Sequence, residues 1–146
     1  IRWPTMRGPM PIKGAHGWIG KQVVDAEGIE MGYVSAEDDR FLTIGEGASG
    51  RLQLARAFIA SVGDKVVLKG PAREIFAGLN VVDNQGEFFG VVRDTMEAED
   101  VLDSFLVEDE GGEVVTIMLE DVRAIGEWVD LEVSADDVYG KQESGG

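Results

Sequence analysis

The side chains able to do chemistry are few. His16 is the only histidine and stands in a glycine-containing stretch with no acid or nucleophile beside it. A catalytic base needs a positioned partner, so His16 reads as a solvated side chain. Cysteine is absent, which removes thiolate nucleophiles, disulfides, Cys-based zinc sites and iron–sulfur ligation from this chain. Carboxylates remain. They cluster at Glu37-Asp38-Asp39, at Glu97, Glu99, Asp100 and Asp103, at Glu108-Asp109-Glu110 and at Asp136-Asp137. Such groups can ligate a divalent cation or form an acid–base pair. None has EF-hand spacing. Asp83-Asn84-Gln85-Gly86-Glu87 begins like such a loop but lacks the later bidentate Glu at its proper distance. Solvated turns and loops are the plainer reading. The glycine-rich run Gly45-Glu46-Gly47-Ala48-Ser49-Gly50 invites comparison with a phosphate loop, yet no Lys-Ser/Thr follows and a Glu stands where phosphate would lie. It reads as a hairpin loop. No serine has a Gly-x-Ser-x-Gly setting. The residues predict no catalytic, cofactor-binding or metal-binding site, and a chain that is not an enzyme.

The chain of 146 residues carries a net charge of −15. Such a surface repels nucleic-acid backbones and anionic lipid and suits a basic protein partner. No apolar run approaches the roughly 20 residues that a membrane-spanning helix needs. The absence of cysteine fits a reducing, cytoplasmic setting. The sequence begins at Ile1, which leaves open whether a leader or anchor precedes it. Residues 1–17 hold Arg2, Arg7 and Lys13, no acid, and Pro4, Pro9 and Pro11. Residues 1–16 therefore read as a flexible basic arm on an acidic body. Residues 134–146 read as a polar tail.

An internal repeat organises everything between. Gly20–Val34 (GKQVVDAEGIEMGYV) lies over Gly78–Val92 (GLNVVDNQGEFFGVV) at an offset of 58, sharing G-x2-V-V-D-x2-G-x3-G-x-V. Trp18 falls over Phe76. Further on, Ile59–Leu68 (IASVGDKVVL) lies over Val122–Leu131 (VRAIGEWVDL) at an offset of 63. Copy two thus has five extra residues, placed in the acidic stretch Asp94–Asp103 as a surface-loop insertion. The units span 17–69 and 75–133, with 70–74 as a linker. Asp25-x-x-Gly28 and Asp83-x-x-Gly86 read as hairpin turns, Asp bonding its own backbone two residues on and Gly supplying a positive φ. Gly32 and Gly90 fall inside strands and mark bulges or barrel corners. Leu52–Val62 and Val115–Ile125 each read as a strand followed by one helical turn. Short strands with frequent turns predict an all-β fold of two tandem small barrels with short helical turns.

Comparing the copies separates core from surface. Val23/Val81, Met31/Phe89, Val34/Val92, Val66/Val129 and Leu68/Leu131 are apolar in both and predict the core. Two positions are not. Glu30 corresponds to Phe88 and Lys65 to Trp128. A Glu or Lys is not buried unpaired without a cost of several kcal/mol, so Phe88 and Trp128 are expected on the outer surface. They are the candidate interface residues. Either they pack the two units together, or they meet an external protein or a second copy in a homo-oligomer.

The pattern G-K-x-V-V-D-x2-G-x3-G-x-V, then an apolar strand, then V-G-D-x-V-V-L, resembles the PRC-barrel superfamily, over about 17–69 and again 75–133. The resemblance implies compact β-barrels that bind proteins and that have no general catalytic motif. Its members include the cytoplasmic domain of the photosynthetic reaction-centre H subunit, the C-terminal domain of the ribosome maturation factor RimM, and small archaeal proteins. Some of the archaeal members act as adaptors in FtsZ-based cell division alongside SepF. These 146 residues hold no counterpart of the separate N-terminal domain of RimM or of the membrane helix of the H subunit. The function expected from this resemblance is a protein–protein interaction or scaffold module, in an archaeal division setting. The alternative is a RimM-like maturation factor that binds a basic ribosomal protein.

Overall fold

A computed structural model describes residues 17–45 and 51–145. The basic arm with His16 and most of the Gly45–Gly50 loop lie outside the described residues. The fold is all-β with short helical turns. Copy one contains β1 (Gln22–Val24), β2 (Glu30–Glu37), β3 (Phe41–Gly45), β4 (Leu52–Ala55), β5 (Ile59–Val62) and β6 (Val66–Leu68). Copy two repeats them as β7 (Asn80–Val82), β8 (Phe88–Ala98), β9 (Val101–Asp109), β10 (Val114–Met118), β11 (Val122–Ile125) and β12 (Val129–Leu131). A single turn of 3₁₀-helix separates β4 from β5, at Arg56–Phe58, and β10 from β11, at Leu119–Asp121. The strand-then-turn expectation for Leu52–Val62 and its counterpart therefore holds, with a further short strand after each turn.

Registers repeat as faithfully as residues do. Val23 faces Val66 across the parallel β1–β6 pair, and Val81 faces Val129 across β7–β12. In the β1–β2 hairpin the register slips between Val23 and Val24, which face Gly32 and Glu30. Val81 and Val82 face Gly90 and Phe88 in the same way. The extra residue is Met31 in one copy and Phe89 in the other. This bulge resets the two-residue alternation, so that Met31 and Val34, three apart, both enter the core, as do Phe89 and Val92. The two conserved-spacing glycines serve it differently. Gly32 has φ +131°, and a Cβ there would stand 2.7 Å from Ile44 Cγ2. Gly90 has ordinary φ, but its Cβ would run into the carbonyl oxygen of Glu108 on β9.

Hairpin turns are built on aspartate. Asp25 is 2% exposed, and its Oδ1 accepts from the N–H groups of Glu27 (2.8 Å) and Ile29 (2.9 Å). Its Oδ2 accepts from the Ala72 N–H at 2.7 Å. Asp83 Oδ1 accepts from Gln85 (2.9 Å) and Glu87 (3.0 Å), and Asp109 Oδ1 from Gly111 (3.0 Å) and Glu113 (2.9 Å). Gly28, Gly86 and Gly112 follow at φ +86°, +82° and +87°. At these positions the left-handed backbone favours glycine.

The copies are not sealed off from one another. They share one 12-stranded sheet in the order β10-β9-β8-β7-β12-β11-β4-β3-β2-β1-β6-β5. The joint is parallel: β11 of copy two lies on β4 of copy one, Ala124 opposite Gln53 and Ile125 opposite Leu54. The extra residues of copy two are not a loose loop. They lengthen the β8–β9 hairpin to a two-residue turn at Glu99 and Asp100, whose φ angles are 53° and 66°. That tip reaches copy one, where the Glu30 N–H donates to the Asp100 carbonyl at 2.8 Å and Glu30 pairs with Val101. This second contact closes a barrel-like ring from strands of both copies.

Two further sequence readings are corrected. Residues 70–74, read as a linker, run into α1 (Ala72–Ile75), where Ala72 is buried. Directly after it Phe76 is fully buried, edge-on to Phe58 of copy one at 5.2 Å and to Phe105 of copy two at 5.8 Å. Residues 134–146, read as a polar tail, hold α2 (Ala135–Gly145). Ser134 Oγ accepts from the Asp137 N–H at 3.1 Å, and Asp137 Oδ2 accepts from the Ser134 N–H at 3.3 Å, a reciprocal cap. Val138 anchors the helix at 2% exposure. The Tyr139 hydroxyl donates to Asp109 Oδ2 at 2.6 Å, and Lys141 Nζ reaches both Asp121 oxygens, at 2.7 and 2.8 Å.

Removing the Asp25 carboxylate strands three N–H groups, so Asp25→Ala should cost roughly 2–4 kcal/mol in urea denaturation, with Asp83→Ala costing less. Gly90→Ala should cost about 1–3 kcal/mol, and its amide exchange should rise along β8–β9, where backbone meets backbone. Tyr139 is pushed up to about 12 from an ordinary 10.0, first by its bond to Asp109. A raised folded-state pKa gives stability that is whole below pH 10 and is lost as pH climbs through about 12. The stability difference between the parent and Tyr139→Phe should therefore be flat up to pH 10 and vanish toward pH 12, with tyrosinate absorbance rising in step.

Candidate functional site

The site is the outer face of the sheet in copy two. β12 ends its hairpin next to β7, and β7 pairs with the start of β8, so the three strands lie side by side. Val129 and Leu131 point inward and are buried, as are Val81 and Phe89. Alternation then sends their neighbours outward. Phe88 faces Val82, and Val82 faces Asp130, in one row across the strands. Trp128 stands one residue before Val129, in the next row, where Asn80 faces Val91. Phe88 is 46% exposed and Trp128 50% exposed. Both expected surface aromatics are therefore on the surface, and on the same face, with half-buried Val82 and Val91 between and beside them. They do not fill the joint between the copies, which is made by β4, β11 and the β8–β9 tip.

Charge frames this patch. Arg123 Nη2 pairs with Asp130 at 2.9 Å, and Arg93 Nε with Glu108 at 2.7 Å. These pairs are open to solvent and worth little stability. They hold the basic side chains of the face against acids of the same face, leaving the aromatic rings as its main apolar groups. Copy one treats the same positions oppositely. Glu30 and Lys65 replace the rings, and Gln22 Nε2 donates to Glu30 Oε1. Tyr33 is the exposed aromatic there, opposite Gln22.

The turn and bulge residues Asp25, Gly28, Gly32, Asp83, Gly86 and Gly90 sit at hairpin ends and corners, as their spacing implies. Asp83, Gly86 and Gly90 shape the β7–β8 hairpin that carries Phe88, and Asp25, Gly28 and Gly32 shape its counterpart β1–β2. The acidic clusters have structural places. Asp38 accepts from the Arg40 and Phe41 N–H groups at 2.8 Å each, and those bonds hold its carboxyl below the usual range. Asp109 is held low too, first by Tyr139 and then by the Glu113 N–H. Glu99 and Asp100 form the hairpin tip, and Asp137 caps α2. Among the described residues no three His, Asp or Glu side chains gather as a metal site, and none of their helices is long and apolar enough to cross a membrane.

Sequence reasoning missed the contacts of α2: Tyr139 on Asp109, Lys141 on Asp121, and Gln142 on Thr116. The signal was present in Ser134-Ala135-Asp136-Asp137-Val138, a capping box with one apolar residue four positions past the cap. Ala72/Ala135, Ile75/Val138 and Phe76/Tyr139 also continue the offset of 63.

The arrangement offers contact area: two half-exposed rings on one face of the sheet. No protein-family model matches the chain, and a search of curated proteins returns no significant match.

Proposed function

We propose that the chain is a non-enzymatic protein-interaction module of PRC-barrel type, acting as a scaffold through the Phe88–Trp128 face. The supporting observation is the contrast between the copies: where copy one presents Glu30 and Lys65, copy two exposes two large rings on one face. Aromatic anchors of this kind dominate the energetics of protein interfaces. Net charge of −15 favours a basic partner. The resemblance extends the reading to a cytoplasmic adaptor in archaeal FtsZ- and SepF-based division.

Phe88→Glu combined with Trp128→Lys restores the copy-one residues. It should leave circular dichroism and thermal stability nearly unchanged, since exposed positions usually shift stability by less than about 0.5 kcal/mol. It should weaken partner capture roughly tenfold or more, as loss of a paired aromatic anchor does. Affinity capture with the parent and the double variant, read by mass spectrometry, checks both halves. FtsZ or SepF homologues lost with the variant support the adaptor reading, and basic ribosomal proteins lost with it turn the assignment to RimM-like maturation. Equal capture by both proteins, or collapse of the sheet, overturns the site.

A further inference from the structure

The parallel joint between the copies has a mirror that is not made. β11 sits on β4 with Ala124 opposite Gln53 and Ile125 opposite Leu54. The repeat makes β5 the equivalent of β11 and β10 the equivalent of β4. At an offset of 63, Ser61 matches Ala124, Val62 matches Ile125, Thr116 matches Gln53 and Ile117 matches Leu54. The same joint with the copies exchanged would lay β5 parallel to β10, Ser61 opposite Thr116. Instead β5 and β10 are the two free ends of the strand order.

The β10 edge is occupied at that very residue. The Thr116 N–H donates to Gln142 Oε1 at 3.2 Å, and Gln142 Nε2 donates to the Thr116 carbonyl at 2.5 Å. One primary amide takes both backbone groups, as a neighbouring strand's peptide would. Between α2 and β10 runs a groove lined by Thr116, Ile117, Asp121, Val138 and Lys141. The other end of the sheet has no such cover among the described residues. β5 reads Ile-Ala-Ser-Val, is paired only with β6, and carries no charge, proline or glycine. Charge and proline are two of the devices that blunt a sheet edge, and β5 has only its four-residue length and the register slip between Ile59 and Ser61 in their place.

We propose that the β10 edge is a strand-docking site for β5 of a second copy of this chain, and that the Gln142 amide near the end of α2 is its removable cover. The occupant follows from the joint already present: the sheet shows what the equivalent β4 edge accepts, in which direction and in which register, and the repeat carries that pairing to β10. Docking runs β5 of one chain onto β10 of the next. Two chains then either close as a reciprocal pair or propagate.

The test exploits the absence of cysteine. Gln142→Ala should strengthen self-association by sedimentation about tenfold, the worth of freeing roughly one pair of hydrogen bonds. Gln142→Glu should do the same with α2 kept, because a carboxylate cannot donate to the Thr116 carbonyl. Adding Thr116→Pro should abolish the gain, since the donor it removes faces Gln142. Ser61→Cys and Thr116→Cys chains, each in the Gln142→Ala background and mixed under oxidation, should give the mixed disulfide dimer and neither like-with-like dimer. Unchanged sedimentation in both Gln142 variants, association that survives Thr116→Pro, or absence of the mixed dimer overturns the proposal. A doubly substituted Ser61→Cys, Thr116→Cys chain that oxidises only within itself also overturns it, by assigning the edge to the chain's own β5.

Discussion

A strand edge must give its N–H and C=O groups to something, and Leu52–Ala55 is where that requirement bears hardest. Leu52 and Leu54 point into the core, so β4 cannot turn its face to water, and β3 pairs only one of its edges. The chain that follows does not fold back to pair the other. One turn of 3₁₀-helix at Arg56–Phe58 redirects it to β6. The free edge is met by β11 from copy two. That single requirement fuses the copies. Once β11 is in place, β12 and β7 follow beside it, and the long β8–β9 hairpin swings round to touch Glu30. The hydrophobic core is correspondingly shared, with Phe76 touching rings from both copies.

Much of this was legible in the residues. The repeat gave equivalent strands, Asp-x-x-Gly gave the hairpins, and glycine within a strand gave the bulges. Copy comparison gave the exposure of Phe88 and Trp128, because a position that tolerates Glu or Lys in one copy is not core in the other. What could not be read is which partner completes β4. β5 and β11 carry the same pattern, so a strand that closes its own copy and one that closes its neighbour look alike in sequence. The five extra residues of copy two look like a loop because Glu97, Glu99 and Asp100 are polar, yet they extend two strands whose outer sides face water. The helix α2 escaped because its apolar face is small, Ala135, Val138 and the Tyr139 ring on Phe89, and because Tyr139, Lys141 and Gln142 complete its docking by hydrogen bonds.

Duplication with divergence explains why the candidate interface lies on one copy. Both units need the same inward residues, since a shared core constrains them together. Their outward residues answer to nothing inside the chain. Copy one keeps Glu30, Lys65 and Gln22 on its outer face, while copy two holds Phe88 and Trp128 there. An acidic chain that retains two half-exposed rings on a single face accepts a risk of nonspecific adhesion, which its strong net charge offsets by mutual repulsion.

The β4–β11 joint also has a consequence in time. Residues 53 and 124 are neighbours in space but distant along the chain, and pairings of that kind form late because a long loop must close first. A ribosome delivers copy one complete, through β6, before any of copy two has appeared. During that interval Leu52–Ala55 is a finished strand with an open edge and an apolar face. Its fate depends on how fast the rest of the chain emerges. Slow synthesis past Leu68 prolongs the window in which such an edge recruits the wrong strand, so translation speed over the second half of the message becomes a determinant of yield.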